Sequence, residues 1–188
     1  MTELKLVLAF VGMPGAGKTD AATYLSKKGI PVVRFGFLTD EMVREAGLPP
    51  TQKSEKIVRE KIRMDLGMAA YAIKSKPKIE ELLKKNNVVL IDGLYSWEEY
   101  VFLKKELPSL ILIAFYAKPP IRYKRLSMRK IRPLTLQEAR ERDIAELDKL
   151  NKGGPIAIAD YLIENNTDDI KDLYSKVDRL LLHLGVTL

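Results

Sequence analysis

Three glycines, a lysine and a threonine near the start of the chain have the types and spacing of a phosphate-binding loop. The stretch Gly12-Met13-Pro14-Gly15-Ala16-Gly17-Lys18-Thr19 matches the pattern G-x-x-x-x-G-K-[ST] at every required position. Its glycines allow successive backbone N–H groups to curl around a phosphate at the positive end of the following helix. Lys18 can reach the β- and γ-phosphates, and the Thr19 hydroxyl can ligate Mg²⁺. The stretch therefore predicts a nucleoside triphosphate site.

The residues around this loop predict the strand and helix that such a site requires. The mostly apolar run 4–11 predicts a buried strand, and residues 19–28 predict a helix that closes at Gly29. A glycine-rich turn that binds nothing is the alternative. The complete match in a strand–loop–helix context favours nucleotide binding.

Asp92 is the first candidate beyond the loop, because it directly follows the apolar run 88–91 and precedes Gly93. Parallel sheets bind ligands beyond the carboxyl ends of their strands, so we expect Asp92 and the loop to face one crevice. There Asp92 would hold Mg²⁺, directly or through water. The alternative is an ordinary Asp-Gly turn after a strand.

Four arginines follow each other at intervals of 3, 4 and 3 residues: Arg122, Arg125, Arg129 and Arg132. On a helix predicted between Pro119 and Pro133, this spacing places four guanidinium groups along one face. Stacked like charges destabilise a helix, and the planar guanidinium binds phosphate oxygens in pairs, so the pattern favours an anionic ligand. A solvated face is the alternative, and Arg122 alone is also a candidate for a structural role. The acidic partners available to such a face are Glu138, Glu141 and Asp143.

Composition narrows the class of protein. The 188 residues suit one domain, with 46% hydrophobic and 30% charged residues and no cysteine for a disulfide or thiolate metal site. No apolar run is long enough to predict a transmembrane helix, and the first strand leaves no room for a signal peptide. We therefore expect a soluble cytoplasmic protein, a monomer or homodimer that does not bind membranes.

The positive charge is concentrated in one segment. Residues 118–132 contain seven Lys and Arg residues and no acidic residue, which equals the net charge of +7. A concentrated segment suits a compact polyanion such as a triphosphate, whereas a nucleic-acid binder more often spreads its basic residues. Aromatic residues are 7% and do not interleave with the basic stretch, which also argues against nucleic acid.

Strand and helix patterns alternate along the chain, which predicts an α/β fold with a parallel sheet covered on both faces. The predicted strands are 4–11, 30–35, 88–91, 110–115 and 161–163. After the first helix, the pattern predicts a helix over 39–45 that is capped by Thr39, and a long helix that begins at Thr51 or Ser54, is interrupted near Pro77 and ends at 83. It then predicts a helix from Ser96 to before Pro108 and another over 119–133. The last two predicted helices run from Thr135 to Gly153 and from Thr167 to Gly185. Ser96 and Thr135 each begin a capping-box pattern.

The ordered set of the glycine-rich loop, Asp92-Gly93, the arginine segment and the stretch 159–165 resembles the P-loop small-molecule kinases. Within them it is most similar to the adenylate-kinase-related and dephospho-CoA-kinase-like proteins, including an archaeal group, over essentially the whole chain. The resemblance implies about five parallel strands in the order 2-3-1-4-5. It also implies an acceptor-binding region near residues 36–85, a lid near 125–150 that carries arginines, and Asn165 and Asn166 beside the adenine.

Two departures from these kinases concern the acceptor. Adenylate kinases continue their Asp-Gly with Phe-Pro-Arg, whereas this chain continues with Leu94-Tyr95-Ser96. Dephospho-CoA kinases carry an acidic group just after the second strand, where this chain has residues 35–37, Phe-Gly-Phe. Asp40 is the nearest carboxylate, and Arg63 is a second candidate for binding the acceptor. The sequence leaves the identity of the acceptor open.

The resulting hypothesis is an ATP- and Mg²⁺-dependent kinase that acts on a small phosphorylated acceptor. The expected catalytic residues are Lys18, Asp92, Arg125 and Arg129. The expected nucleotide contacts are residues 12–19 with Asp20 and Asn165, and the expected Mg²⁺ ligands are Thr19 and Asp92. A regulatory ATPase and a nucleic-acid-binding P-loop protein are the alternatives. A GTPase is disfavoured because residues 165–168 lack the lysine of the guanine-reading Asn-Lys-x-Asp.

Overall fold

One parallel sheet lies between two layers of helices. The computed structural model describes residues 5–130 and 133–186. Within those ranges the strands are β1 (Leu6–Val11), β2 (Val32–Arg34), β3 (Val88–Asp92), β4 (Leu110–Tyr116) and β5 (Tyr161–Glu164). The helices there are α1 (Lys18–Lys27), α2 (Phe35–Glu45), α3 (Gln52–Leu66), α4 (Ala70–Lys85), α5 (Trp97–Glu106), α6 (Pro119–Ser127), α7 (Leu136–Asp148), α8 (Gly153–Ala157) and α9 (Ile170–His183).

The strand order is β2-β3-β1-β4-β5, and every neighbouring pair is parallel. This confirms the predicted α/β class and the strand order that the family resemblance implied. Each of the five predicted strands is present, with β2 shorter than expected. In the register, Asp92 at the end of β3 lies beside Phe10 on β1 and beside Arg34 on β2. The carboxyl ends of three strands therefore meet where the glycine-rich loop leaves β1.

The central strand β1 is buried over its whole length and divides the core into two apolar clusters. Val7, Ala9 and Val11 pack with apolar side chains of α2, α4 and α5 on one face. Leu8 and Phe10 pack with those of α1 and α9 on the other. Alternate side chains of a strand point to opposite faces, so the continuous apolar run is explained by burial on both sides. None of the helices in the described ranges has the length and apolar character needed to span a bilayer.

Helix α2 begins at Phe35, four residues before the predicted cap, so the prediction for Thr39 is wrong. The side chain of Phe35 is fully buried, which draws the start of the helix against the end of β2. Thr39 consequently lies inside the helix, where its hydroxyl is 2.7 Å from the hydroxyl of Tyr71.

The long helix predicted from residue 51 or 54 is two helices, and the predicted interruption at Pro77 is wrong. The break falls at Gly67, whose φ of 75° lies in the left-handed region that commonly ends helices. Pro77 lies inside α4. Thr51, one of the two alternative starts, is the cap, because its hydroxyl accepts a hydrogen bond from the Ser54 amide.

The two predicted capping boxes, at Ser96 and Thr135, are confirmed. The helix that Thr135 begins ends at Asp148, earlier than predicted, and the short α8 follows. The last helix is capped by Asp169 rather than by Thr167, since the Asp169 carboxylate accepts from a first-turn amide. The expected acceptor region at 36–85 and lid at 125–150 concern ligand binding and stay predictions.

Candidate nucleotide-binding site

The loop between β1 and α1 has a backbone path that requires glycine at two points. Gly12 has a φ of 142°, and a Cβ there would lie 2.3 Å from the Phe115 carbonyl oxygen. Gly17 has a φ of 103°, and a Cβ there would lie 2.3 Å from Nδ2 of Asn165. No side chain in the described ranges caps α1, so its first N–H groups can be offered to an anion. The loop is therefore held in its curved shape by its neighbours.

The ammonium group of Lys18 is folded back onto its own loop. Its Nζ donates hydrogen bonds to the carbonyl oxygens of Gly12, at 2.6 Å, and Met13, at 3.1 Å. Burial, with the positive charge of Lys152, lowers the pKa of Lys18 to about 7, although Glu146 and Asp92 act in the opposite direction. A bound anion would favour the charged form of this side chain.

A cavity of about 1050 Å³ opens over the loop. Ten of the predicted site residues line it: Pro14, Gly15, Gly17, Lys18, Thr19, Asp20, Asp92, Arg125, Arg129 and Asn165. Small-molecule pockets are typically about 300–1,000 Å³, so this cavity is large enough for a nucleotide and part of a second ligand. The loop, the carboxyl ends of β2 and β3, the region after α6 and the start of α9 all contribute to its wall.

Thr19 and Asp92 have the donor chemistry of a Mg²⁺ site that is completed by phosphate. Thr19 is exposed, and the Asp92 side chain is 6% exposed, with Oδ2 accepting a hydrogen bond from Nε of Arg34 at 2.9 Å. Mg²⁺ in such enzymes is bound by one or two protein oxygens together with phosphate oxygens and water. Accordingly, the described residues contain no group of three or more acidic, His or Cys side chains that could hold a metal without a ligand.

Arg129 does not lie on the helix that carries Arg122 and Arg125, so the prediction of one helical face shared by the four arginines is wrong. Helix α6 ends at Ser127, and the chain turns back so that the Leu134 amide donates to the Leu126 carbonyl. Arg129 therefore follows the helix and lies in the loop that lines the cavity. Arg132 lies outside the described residues.

Arg122 is buried and structural. It forms two hydrogen bonds with Asp143, Nη1 to Oδ1 at 2.9 Å and Nη2 to Oδ2 at 2.5 Å. The same guanidinium donates to the carbonyl oxygens of Ala117 and Pro14, both at 3.1 Å. For Arg122 the alternative of pairing with Asp143 is therefore the one that the structure supports.

Arg125 and Asn165 support the loop from one side. Arg125 donates to the carbonyl oxygens of Gly15 at 3.4 Å and Asn165 at 3.0 Å, and also to that of Thr167. The Asn165 amide is buried and donates to the carbonyl oxygen of Ala16 at 3.0 Å. Both side chains line the cavity while their polar atoms hold the loop. The expected contact of Asn165 and Asn166 with adenine stays a prediction.

The cavity is also lined by residues that were not among the predicted site residues, including Arg34, Tyr95, Arg142, Glu146 and Lys152. Glu146 accepts from Nε of Arg142 at 3.1 Å and from Nζ of Lys152 at 2.5 Å. Burial raises the pKa of Glu146, but these two cations outweigh it and hold the pKa below its ordinary value. The spacing of Arg142 and Glu146 on one helix was a usable signal for their pairing, whereas nothing local marks Lys152, which is 2% exposed.

The two acceptor candidates lie away from this cavity. Asp40 is exposed on α2, and Arg63 packs its guanidinium 5.6 Å from the ring centre of Tyr71. Nε of Arg63 is buried and makes no hydrogen bond within the described ranges. Neither residue lines the cavity, and their proposed role in acceptor binding stays a prediction.

The strand order, the glycine-rich loop after β1 and the carboxylate after β3 define a P-loop fold of the small-molecule kinase type. A family model described as an AAA domain, AAA_18, matches residues 8–146. The UPF0200 protein of Thermococcus sibiricus is 36% identical over 185 residues, which is 96% of each chain. That of Pyrococcus abyssi is 36% identical over 165 residues, 86% of this chain and 88% of its own. The chain belongs to the AAA_18 family, within the UPF0200 group of archaeal proteins.

Among solved structures, a shikimate kinase from Acinetobacter baumannii in complex with shikimate is similar to this protein. Its TM-score is 0.59 at 22% sequence identity, over 98% of this chain and 97% of the kinase. At this identity the likeness shows the fold, which is that of a P-loop kinase.

Proposed function

We propose that the protein transfers the γ-phosphoryl group of ATP to a small phosphorylated acceptor, a nucleotide or nucleotide-like cofactor precursor, in a reaction that needs Mg²⁺. The observation that carries the proposal is that Lys18 and Thr19 line the same cavity as Asp92 and Arg129. Phosphoryl transfer requires a phosphate-binding loop, a carboxylate and a cation on a long side chain, all facing one cavity. The kinase fold of the solved relative supports the same reaction class.

In this proposal the chain contributes position and charge. The backbone N–H groups of residues 12–19 and the ammonium group of Lys18 hold the phosphates, while Thr19 and Asp92 hold Mg²⁺. Mg²⁺ held there would neutralise part of the negative charge of the phosphates. Arg129 would face the transferred group, where its guanidinium would stabilise the spread negative charge of the transition state, and Arg125 would add positive charge beside the loop that it holds.

We assign the acceptor to the part of the cavity away from the loop, and the lid to residues 125–150. The supporting observation is that Arg142 and Glu146 of α7 line the same cavity as Arg34 and Asp92 at the ends of β2 and β3. A wall built from a separate helix could close over both ligands and exclude water, which would direct transfer to the acceptor rather than to hydrolysis.

ATP turnover with a panel of acceptors tests the proposal. The panel contains nucleoside monophosphates, dephospho-CoA, shikimate, gluconate and short oligonucleotides. We expect turnover to rise with one small phosphorylated acceptor, to be lost in Lys18→Ala and to be retained in Lys27→Ala, an exposed lysine at the end of the same helix. Turnover that needs no acceptor would instead indicate a regulatory ATPase, and stimulation by oligonucleotides alone would indicate a nucleic-acid-dependent protein.

A further inference from the structure

Asp92, the proposed metal ligand, already forms an ion pair with an arginine. Arg34 and Asp92 are register neighbours at the carboxyl ends of β2 and β3. Nε of Arg34 lies 2.9 Å from Oδ2 of Asp92. The Asp92 side chain is 6% exposed and that of Arg34 is 29% exposed, and both residues line the cavity. A cation at this position competes with Mg²⁺ for the same carboxylate oxygen.

Arg34 uses only part of its hydrogen-bonding capacity in this pair. Its two terminal nitrogens make no hydrogen bond to any residue in the ranges 5–130 and 133–186. The guanidinium carbon lies 5.0 Å from the ring centre of Phe37, a contact that leaves the edge of the group available. Guanidinium presents five donors in a planar fork that matches phosphate oxygens in pairs. Arg34 is therefore equipped to bind an oxyanion that enters the cavity.

The other charges at this end of the cavity also favour an anionic ligand. Glu146 is paired with both Arg142 and Lys152, and Asp92 is paired with Arg34. The three cationic side chains Arg34, Arg142 and Lys152 thus outnumber the two carboxylates, and each carboxylate already forms an ion pair. An excess of positive charge in a partly enclosed space attracts an anion, and a phosphate would balance it.

We propose that Arg34 binds a phosphate group of the acceptor and that this phosphate withdraws Arg34 from Asp92. The released carboxylate then becomes available to Mg²⁺, so phosphate binding and metal binding strengthen each other. The inference rests on the proposed function. It adds a reason why ATP would not be hydrolysed before the acceptor binds. Arg34 would be both a specificity residue for a phosphorylated acceptor and a positioning residue for the metal site.

The test measures metal affinity without turnover. The protein is saturated with the non-hydrolysable nucleotide AMP-PNP, which fills the loop, and Mn²⁺ binding is followed by electron paramagnetic resonance with inorganic phosphate or with sodium chloride of equal ionic strength. In the unmodified protein we expect phosphate to raise Mn²⁺ affinity about five-fold or more, the lower range of measured couplings.

Two substitutions separate the coupling from a general electrostatic effect. In Arg34→Gln we expect tight Mn²⁺ binding without phosphate and no further gain when phosphate is added. In Arg44→Gln, which changes an exposed arginine on the neighbouring helix α2, we expect the response of the unmodified protein. Asp92→Asn should bind Mn²⁺ weakly with or without phosphate.

Mn²⁺ affinity that ignores phosphate in the unmodified protein, or that responds equally in Arg34→Gln, would overturn the inference while leaving the proposed function standing. Failure of the AMP-PNP complex to bind Mn²⁺ at all would overturn both. Circular dichroism checks the fold of each variant. If Arg34→Gln does not fold, Arg34→Lys keeps the charge but loses the planar fork, and an undiminished phosphate effect in that variant would equally overturn the inference.

Discussion

Arg122 and Asp143 form a buried ion pair that joins α6, α7 and the phosphate-binding loop at one point. Their side chains are 5% and 10% exposed, and the two hydrogen bonds between them are supplemented by the bond from Arg122 to the Pro14 carbonyl oxygen. The hydroxyl of Tyr123 donates to the same carboxylate at 3.0 Å. One carboxylate therefore links α7 to α6 and, through Arg122, to the phosphate-binding loop.

Replacing Asp143 by alanine would leave the Arg122 guanidinium buried and without its anionic partner. Breaking a buried pair in this way costs about 3–5 kcal/mol. We expect urea unfolding of Asp143→Ala to show a loss of that order. Asp148→Ala is the control, because Asp148 is exposed at the end of the same helix. Equal stabilities of the two variants would show that the pair does not hold α7.

Lys18 should take up a proton when nucleotide binds. Its pKa of about 7 in the free protein lies well below the ordinary value of 10.5, and phosphate charge would raise it again. Near pH 8 the free lysine is mostly neutral, so binding should take up close to one proton. Near pH 6 it is already charged, and uptake should approach zero. Calorimetric titration with Mg²⁺ and AMP-PNP in buffers of different ionisation enthalpy measures this uptake.

Lys18→Arg provides the control for proton uptake, because arginine stays charged over this whole pH range. When this variant binds nucleotide, residue 18 should take up no proton. If its uptake matched that of the unmodified protein at pH 8, the proton would have to enter another group.

Glu99 should make the protein less stable as pH rises toward 7. Its carboxylate is buried in the capping box of α5, accepts from the Tyr95 and Ser96 amides, and has one oxygen without a hydrogen bond in the described ranges. Burial raises its pKa from 4.5 to about 7. The folded state therefore binds a proton that the unfolded state has lost, and the resulting stabilisation is complete below pH 4.5 and is lost as pH rises through 7.

One such proton changes the free energy of unfolding by up to about 1.4 kcal/mol per pH unit between these two values. Glu99→Gln should remove this slope, whereas Glu45→Gln, at an exposed position on α2, should keep it. Urea unfolding between pH 5 and 8 compares the three proteins. Parallel pH profiles for Glu99→Gln and the unmodified protein would assign the slope to other groups.

Arg129→Ala should impair catalysis more than nucleotide binding. If Arg129 meets the transferred group mainly in the transition state, its removal should lower kcat and kcat/KM together, on the order of 10³-fold, with little change in ATP affinity. Lys130→Ala, its exposed neighbour that does not line the cavity, is the control. The measurement is steady-state kinetics with the best acceptor, beside oligonucleotide binding at several salt concentrations. Intact kcat together with a reduced salt slope would assign Arg129 to nucleic acid instead.

The sequence by itself determined the features that depend on neighbours along the chain. The loop from Gly12 to Thr19 could be predicted because its glycines, lysine and threonine act within one strand–loop–helix unit. Asp92 could be predicted because an acidic residue that ends a buried parallel strand must lie at the carboxyl edge of the sheet. Continuous apolar runs likewise predicted strands buried on both faces.

Only the tertiary structure decided how the charged side chains are used. Arg122 and Arg129 have similar sequence contexts, but the end of α6 at Ser127 separates them into a buried structural residue and a cavity residue. Arg34 meets Asp92, which is 58 residues away along the chain, through the register of two neighbouring strands. Lys152 reaches the site because the turn after α7 folds it inward. A charge pattern is compatible with solvent, an ion pair or a ligand, and which of these applies depends on contacts between distant segments.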